Sequence, residues 1–269
     1  MKIIVVVLLA LPIYALAQSP EGNWDAYMAQ YEKGAGSTTL NMDLTKTAPV
    51  KNLPFVVITG VSYKKCNEDG FPIKEEFENL YKISDDANEA ISSVTKSELV
   101  GTFTSQCERL DYIYVSDTLN IRSKLIRLYK EKYASYKYHL NIQLDKEWKT
   151  YLTFLYPTEE MQEYMSNQKV VMQLMTAGDN LTKPRPIEHW LYFKNKTGRD
   201  AFIKFAETKG LKTVGTDYVK DSEFAYQLHL SQTSSVDLGV LSSLTLQMRK
   251  KAKELYGEYD GWESVVVKE

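Results

Sequence analysis

The chain has 269 residues, 43% of them apolar and 25% charged, with 33 basic against 35 acidic side chains. That apolar share suits a packed core and excludes a disordered chain, and the near balance of charge offers no basic field for nucleic acid. Two cysteines exclude a disulfide scaffold and a cysteine-built metal site, and at roughly 100–200 residues per domain the length suggests two domains.

In chain order, Met1-Lys2 gives a short positive start, Ile3 to Ala10 is an unbroken apolar run, and Pro12 interrupts it. Ala15-Leu16-Ala17 then places small residues where a signal peptidase reads, which predicts a secretory signal over 1–17 cleaved before Gln18. The apolar stretch is shorter than the roughly 20 residues a spanning helix needs. The expectation is an exported protein, periplasmic or extracellular, with no stable membrane insertion after cleavage.

The first half, 18–157, opens with two short strands, Trp24 to Tyr31 and Thr39 to Asp43, around a flexible Gly34-Ala35-Gly36-Ser37 turn. The β-branched run Pro54 to Tyr63 predicts a buried strand. Glu75 to Val94 carries Phe77, Leu80, Ile83, Ala87, Ala90 and Ile91 at helical spacing. Glu98 to Gln106 and Arg109 to Asp117 predict two strands joined by a tight turn, and Asn120 is expected to cap a helix bearing Leu125, Ile126, Leu128 and Tyr129. Alternating patterns over Lys137 to Pro157 close the half as strand.

The second half, 158–269, begins with a Met-rich helix, Thr158 to Met175. Then come a strand at Ile187 to Phe193, a helix at Arg199 to Lys209 and strands at Leu211 to Val219 and Phe224 to Gln232. A helix from Asp237 to Tyr256, closed by Gly257, precedes a last strand at Gly261 to Lys268. Each half therefore reads β-α-β-β-α-β. The predicted fold class is α+β: two tandem ferredoxin-like units with antiparallel sheets and helices on one face.

In that topology the first and third strands are central neighbours. Cys66 follows the first strand and Cys107 sits in the turn feeding the third, so the two should lie close together. In an oxidising compartment they would form a disulfide closing a loop of about 40 residues; two buried thiols is the alternative.

No catalytic constellation is visible. His139, His189 and His229 each sit inside a predicted strand without metal-motif spacing, there is no GxSxG elbow, and neither cysteine has a neighbouring histidine. No catalytic residue, metal or cofactor is expected. Nineteen tyrosines and four tryptophans are the unusual feature. Tyr112, Tyr114, Tyr136, Tyr138, Trp148, Tyr151 and Tyr156 either pack half-buried sheet faces or form an exposed platform for sugar or protein. Met161, Met165, Met172 and Met175 pose the same choice, and most of that stripe is expected to pack on a sheet.

Gly178-Asp179-Asn180, Arg185-Pro186-Ile187-Glu188-His189-Trp190 and Glu258-Tyr259-Asp260-Gly261-Trp262, with their spacing, resemble the ribonuclease E inhibitor B (RraB) family over about 160–269. Trp24, Leu53-Pro54 and Asp145-Lys146-Glu147-Trp148-x-x-Tyr151…Leu155-Tyr156-Pro157 resemble the domain of unknown function (DUF) 695 family over about 22–157. The resemblance implies a non-enzymatic regulator that binds another protein, and export implies a target other than a cytosolic ribonuclease. An envelope carbohydrate-binding or hydrolase-like protein using tyrosine-rich faces is the competing expectation. Asp260-Gly261 is expected to turn the chain into its edge strand, bringing Trp262 near Trp190 with Arg185 and Glu188 beside them. Arg185, Glu188, His189, Trp190, Tyr259, Asp260 and Trp262 thus mark either a structural corner or a partner-binding patch.

Overall fold

The computed structural model describes residues 22–268; the expected signal segment lies outside them. The chain divides into two compact units, one ending at Tyr156 and the other beginning at Pro157. Each is built on the same β-α-β-β-α-β path.

In the first unit a hairpin, β1 (Trp24–Tyr31) and β2 (Gly34–Asn41), precedes β3 (Phe55–Ser62), α1 (Phe77–Ser92), β4 (Ser97–Ser105), β5 (Glu108–Val115), α2 (Ile121–Lys132) and β6 (Lys137–Leu144). The sheet order is β1-β2-β4-β5-β3-β6, antiparallel throughout. Its last four strands are the ferredoxin-like set, which the hairpin extends at one edge. Val57, Val61, Ile113 and Val115 turn one face toward Leu80, Ile83, Ala87 and Ile91 of α1 and Ile121, Leu125 and Tyr129 of α2.

Sequence reading misplaced three features here. Gly34-Ala35-Gly36-Ser37 is not the turn: the chain reverses at Glu32-Lys33, and those residues belong to β2. Asn120 stands at the start of α2 in a left-handed conformation (φ 62°) but makes no side-chain cap. The closing strand over Trp148 to Pro157 is instead a π-helical turn, Thr150–Leu155.

Asp145 produces that turn. Its carboxylate accepts hydrogen bonds from the amides of Lys149 and Thr150, both at 2.8 Å, and from the Tyr114 hydroxyl at 2.6 Å. Burial pushes this carboxyl up, but the Tyr114 hydroxyl and those amides outweigh it and hold its pKa below the ordinary value. The turn lays Trp148 flat on Tyr114 (centroids 4.0 Å, 17°). The Trp148 indole donates to the Leu53 carbonyl, the Tyr151 hydroxyl to that of Asn41, and the Tyr27 hydroxyl to that of Leu155. The sheet face away from the helices is therefore roofed by aromatics. Tyr112, Tyr114, Trp148 and Tyr151 are buried, so they form no exposed platform.

Cys66 and Cys107 form a disulfide with Cα atoms 5.7 Å apart. It ties the segment after β3 to the β4–β5 turn, where Gln106 and Cys107 both have positive φ (51° and 59°), as a two-residue hairpin turn requires. The amide of Tyr63 also donates to the Cys107 carbonyl at 2.8 Å.

The second unit begins with α3 (Glu159–Thr176), followed by β7 (Arg185–Phe193), α4 (Lys196–Thr208), β8 (Lys212–Tyr218), β9 (Tyr226–Ser234), α5 (Leu238–Glu254) and β10 (Gly257–Ser264). The strand order β10-β7-β9-β8, antiparallel, is ferredoxin-like. Asn195 caps α4 and Asp237 caps α5 through their side chains. Gly257 does not close α5; it opens β10, four residues before the expected strand start, and Tyr256 carries the positive φ (58°) that ends the helix. The methionine stripe is split: Met165 is buried as α3 packs along α5, whereas Met172 and Met175 are each 59% exposed.

The disulfide spans 41 residues of sequence. Replacing both cysteines by serine should lower the first unit's stability by about 3–4 kcal/mol through added unfolded-state freedom. Denaturant titration followed by Trp148 fluorescence would detect it, and an unchanged midpoint would refute it.

Candidate functional site

Strand β7 alternates strictly. Arg185, Ile187, His189, Leu191 and Phe193 are buried on the side of the helices, and Glu188, Trp190 and Tyr192 are half-buried on the other. β10 pairs with it but contains a bulge: the register passes from Tyr259 opposite Leu191 to Gly261 opposite Trp190, leaving Asp260 unmatched. Tyr259 and Trp262 are three residues apart and would otherwise face opposite ways; the extra residue brings both to the helix side. Asp260-Gly261 is thus a bulge within the strand and not the expected turn.

This geometry separates the expected site. Arg185, His189, Tyr259 and Trp262 are buried among the helices, Glu188 and Trp190 lie on the opposite face, and Asp260 is exposed at the bulge. Trp190 and Trp262 occupy neighbouring strands but opposite faces, so the single corner expected from the sequence does not form.

The inner residues engage three separate sets of contacts. The Trp262 indole donates to the Asn167 side-chain oxygen (2.7 Å), and the Asn167 amide donates to Thr245 (2.8 Å) and Ser242 (3.2 Å), joining β10 to α3 and α5. Arg185 is ion-paired with Asp179, both fully enclosed, and also donates to the carbonyls of Lys183 and Asn180. That guanidinium is the main cause holding the Asp179 carboxyl below its usual pKa, with the Val267 amide adding a 2.7 Å bond. Arg249 donates to Glu163 (2.5 Å) and to the Tyr259 carbonyl (2.9 Å), and lies over the Tyr259 ring. His189 Nδ1 and the Tyr259 hydroxyl are 2.9 Å apart, and burial pushes the imidazole pKa down to about 4. Breaking such buried pairs is destabilising, so these residues serve the fold first.

The outer face is different. Trp190 lies flat against His229, at 3.9 Å and 9°. His229 Nε2 is 2.5 Å from Glu188 Oε2, an ion-pair approach without the angle of a hydrogen bond, while the other Glu188 oxygen accepts from Ser231 at 2.8 Å. The Trp190 indole reaches Glu263 at 3.4 Å. By register this face also carries Tyr192, Gln227 and Glu258. Glu188, Glu258, Glu263 and Asp217 outnumber Lys212 and His229 on it. Among the described residues, no group of three or more His, Cys, Asp or Glu could hold a metal ion. The arrangement offers a flat aromatic surface edged by carboxylates, suited to a cationic or guanidinium side chain.

Sequence reasoning missed Asn167, Arg249 and His229. The alternation of Leu228, His229 and Leu230 points His229 away from the core, but only the β7–β9 register sets it beside Trp190.

His189 gives the unit an acid sensitivity with a definite sign. Its folded pKa, about 4, lies below the unfolded value of about 6.5, so the neutral ring's contribution is complete above the unfolded value. It is lost as pH falls toward the folded value, amounting to about 3 kcal/mol in all. Melting curves of the second unit should fall over this window, and His189→Gln should flatten that slope; an unchanged slope would contradict it.

The first unit matches the family model described as "Family of unknown function (DUF695)" over residues 22–156, and the second matches "Regulator of ribonuclease activity B" over 165–264. No curated protein matches the sequence significantly. Among solved structures, an unknown protein from Galdieria sulphuraria is 10% identical with a TM-score of 0.23, covering 79% of this chain and 99% of its own. A provisionally assigned glycine cleavage system transcriptional repressor is 12% identical with a TM-score of 0.23, covering 80% and 98%. Such scores carry no inference about fold or function. The family matches carry more: the chain belongs to the DUF695 family, and after that domain it carries one similar to the ribonuclease-activity-B regulator family.

Proposed function

We propose that this is an exported, non-catalytic regulatory protein whose second unit binds a protein partner on the open sheet face around Trp190 and His229. The observation carrying this reading is the stacked Trp190–His229 pair beside Glu188, on a face that the unit's own core leaves half-exposed. Aromatic groups with a polar surround are typical binding anchors, and the acidic excess selects a partner segment rich in arginine or lysine. The regulator-family match supports binding over catalysis. Export is supported by the pattern over 1–17 and by a disulfide that a reducing cytosol would oppose.

Capture from envelope extract of the secreting cells, on the chain beginning at Gln18, tests this. The intact chain should retain a protein partner, released by salt. Trp190→Ala should reduce retention by about tenfold or more while lowering stability by no more than about 1 kcal/mol. Undiminished capture by that variant, or retention of an oligosaccharide alone, would overturn the reading.

A further inference from the structure

The first unit holds a groove away from its two helices. Tyr31 at the end of β1, Phe103 of β4 and Phe154 of the π-helical turn converge on it. Phe103 meets Tyr31 at 5.1 Å and 79° and Phe154 at 5.1 Å and 69°, while Tyr31 and Phe154 are 6.4 Å apart at 48°. These steep angles make a corner of ring surfaces. Gly36 permits it, because a Cβ there would lie 2.6 Å from the Phe103 ring and 2.8 Å from that of Tyr31. The groove encloses about 350 Å³, with Glu32, Glu108 and Lys33 also on its walls.

Glu108 is held in place. It accepts a hydrogen bond from Ser62 at 3.1 Å and lies 3.1 Å from His139 Nε2, which itself is 2.6 Å from the Ser62 hydroxyl. Serine beside histidine suggests a nucleophile and its base, but the placement of Glu108 argues otherwise. The carboxylate sits on the same imidazole nitrogen as the serine and next to the hydroxyl, so it opposes negative charge on Ser62 and does not orient Nδ1. Such a group favours a cation. Aromatic faces favour one as well, above all a bulky alkylated ammonium that water solvates weakly.

We propose that this groove binds a small soluble zwitterion bearing a trimethylammonium group. The cation sits in the corner of Tyr31, Phe103 and Phe154 near Glu108 and Glu32, and its carboxylate faces Lys33. The site's residues all belong to the first unit.

Titration calorimetry of the disulfide-bonded chain with glycine betaine tests it, using 3,3-dimethylbutanoate as the isostere with carbon in place of the cationic nitrogen. Betaine should bind saturably at one site and the isostere at least about tenfold more weakly. Phe154, 38% exposed, covers Phe103 and the buried Tyr112, so leucine is chosen to keep an apolar side chain over them. Phe154→Leu should weaken betaine about tenfold and Glu108→Gln several-fold, in chains that still unfold cooperatively within a few degrees of the parent. Absence of saturable betaine binding, equal binding of the isostere, or full affinity in both variants would overturn the assignment.

Discussion

Asp260 has no partner across the β7–β10 ladder, and the arrangement of the second unit depends on that mismatch. A regular strand would place Tyr259 and Trp262 on opposite faces. The bulge puts both among the helices, where Trp262 meets Asn167 and Tyr259 meets His189 and Arg249. Those contacts fasten α3 and α5 to the edge strand. They also leave Trp190, across from Gly261, on the outer face with Tyr192, stacked on His229 and not on a second tryptophan.

A similar division runs through the first unit. The residues that distinguish its closing segment are structural: Asp145 gathers two amides and a tyrosine hydroxyl, and Trp148 and Tyr151 fill the space above the sheet. In both units the most recognisable strings hold the fold. The surfaces proposed to meet another molecule draw only Glu188 and Trp190 from those strings, adding His229 in one unit and using Tyr31, Phe103 and Phe154 in the other. A shared fold therefore transmits architecture more readily than target.

Much of the architecture was legible in the residues. The β-branched run around Val56–Val61 and the spacing of Leu80, Ile83, Ala87 and Ile91 indicate a buried strand and the helix that covers it, and repetition of the pattern yields the ferredoxin-like order twice. What escaped depends on contacts between distant residues. The aromatic and threonine content of Trp148 to Tyr156 suggests a strand, yet the buried Trp148, Tyr151 and Leu155 stand at helical spacing, and capture of the Lys149 and Thr150 amides by Asp145 favours a helical turn. Asp-Gly reads locally as a turn and becomes a bulge because β7 continues past it. The candidate patch failed as a unit for the same reason: face is set by register, which one altered residue count inverts.

The account divides two tryptophans of adjacent strands into one that builds the second unit and one that it presents. Thermal denaturation of Trp262→Ala and Trp190→Ala, compared in the full chain, measures this division directly. Loss of buried Trp262 should cost about 3–5 kcal/mol. Loss of half-exposed Trp190 should cost about 1 kcal/mol or less. Equal losses, or a greater loss at Trp190, would contradict the account.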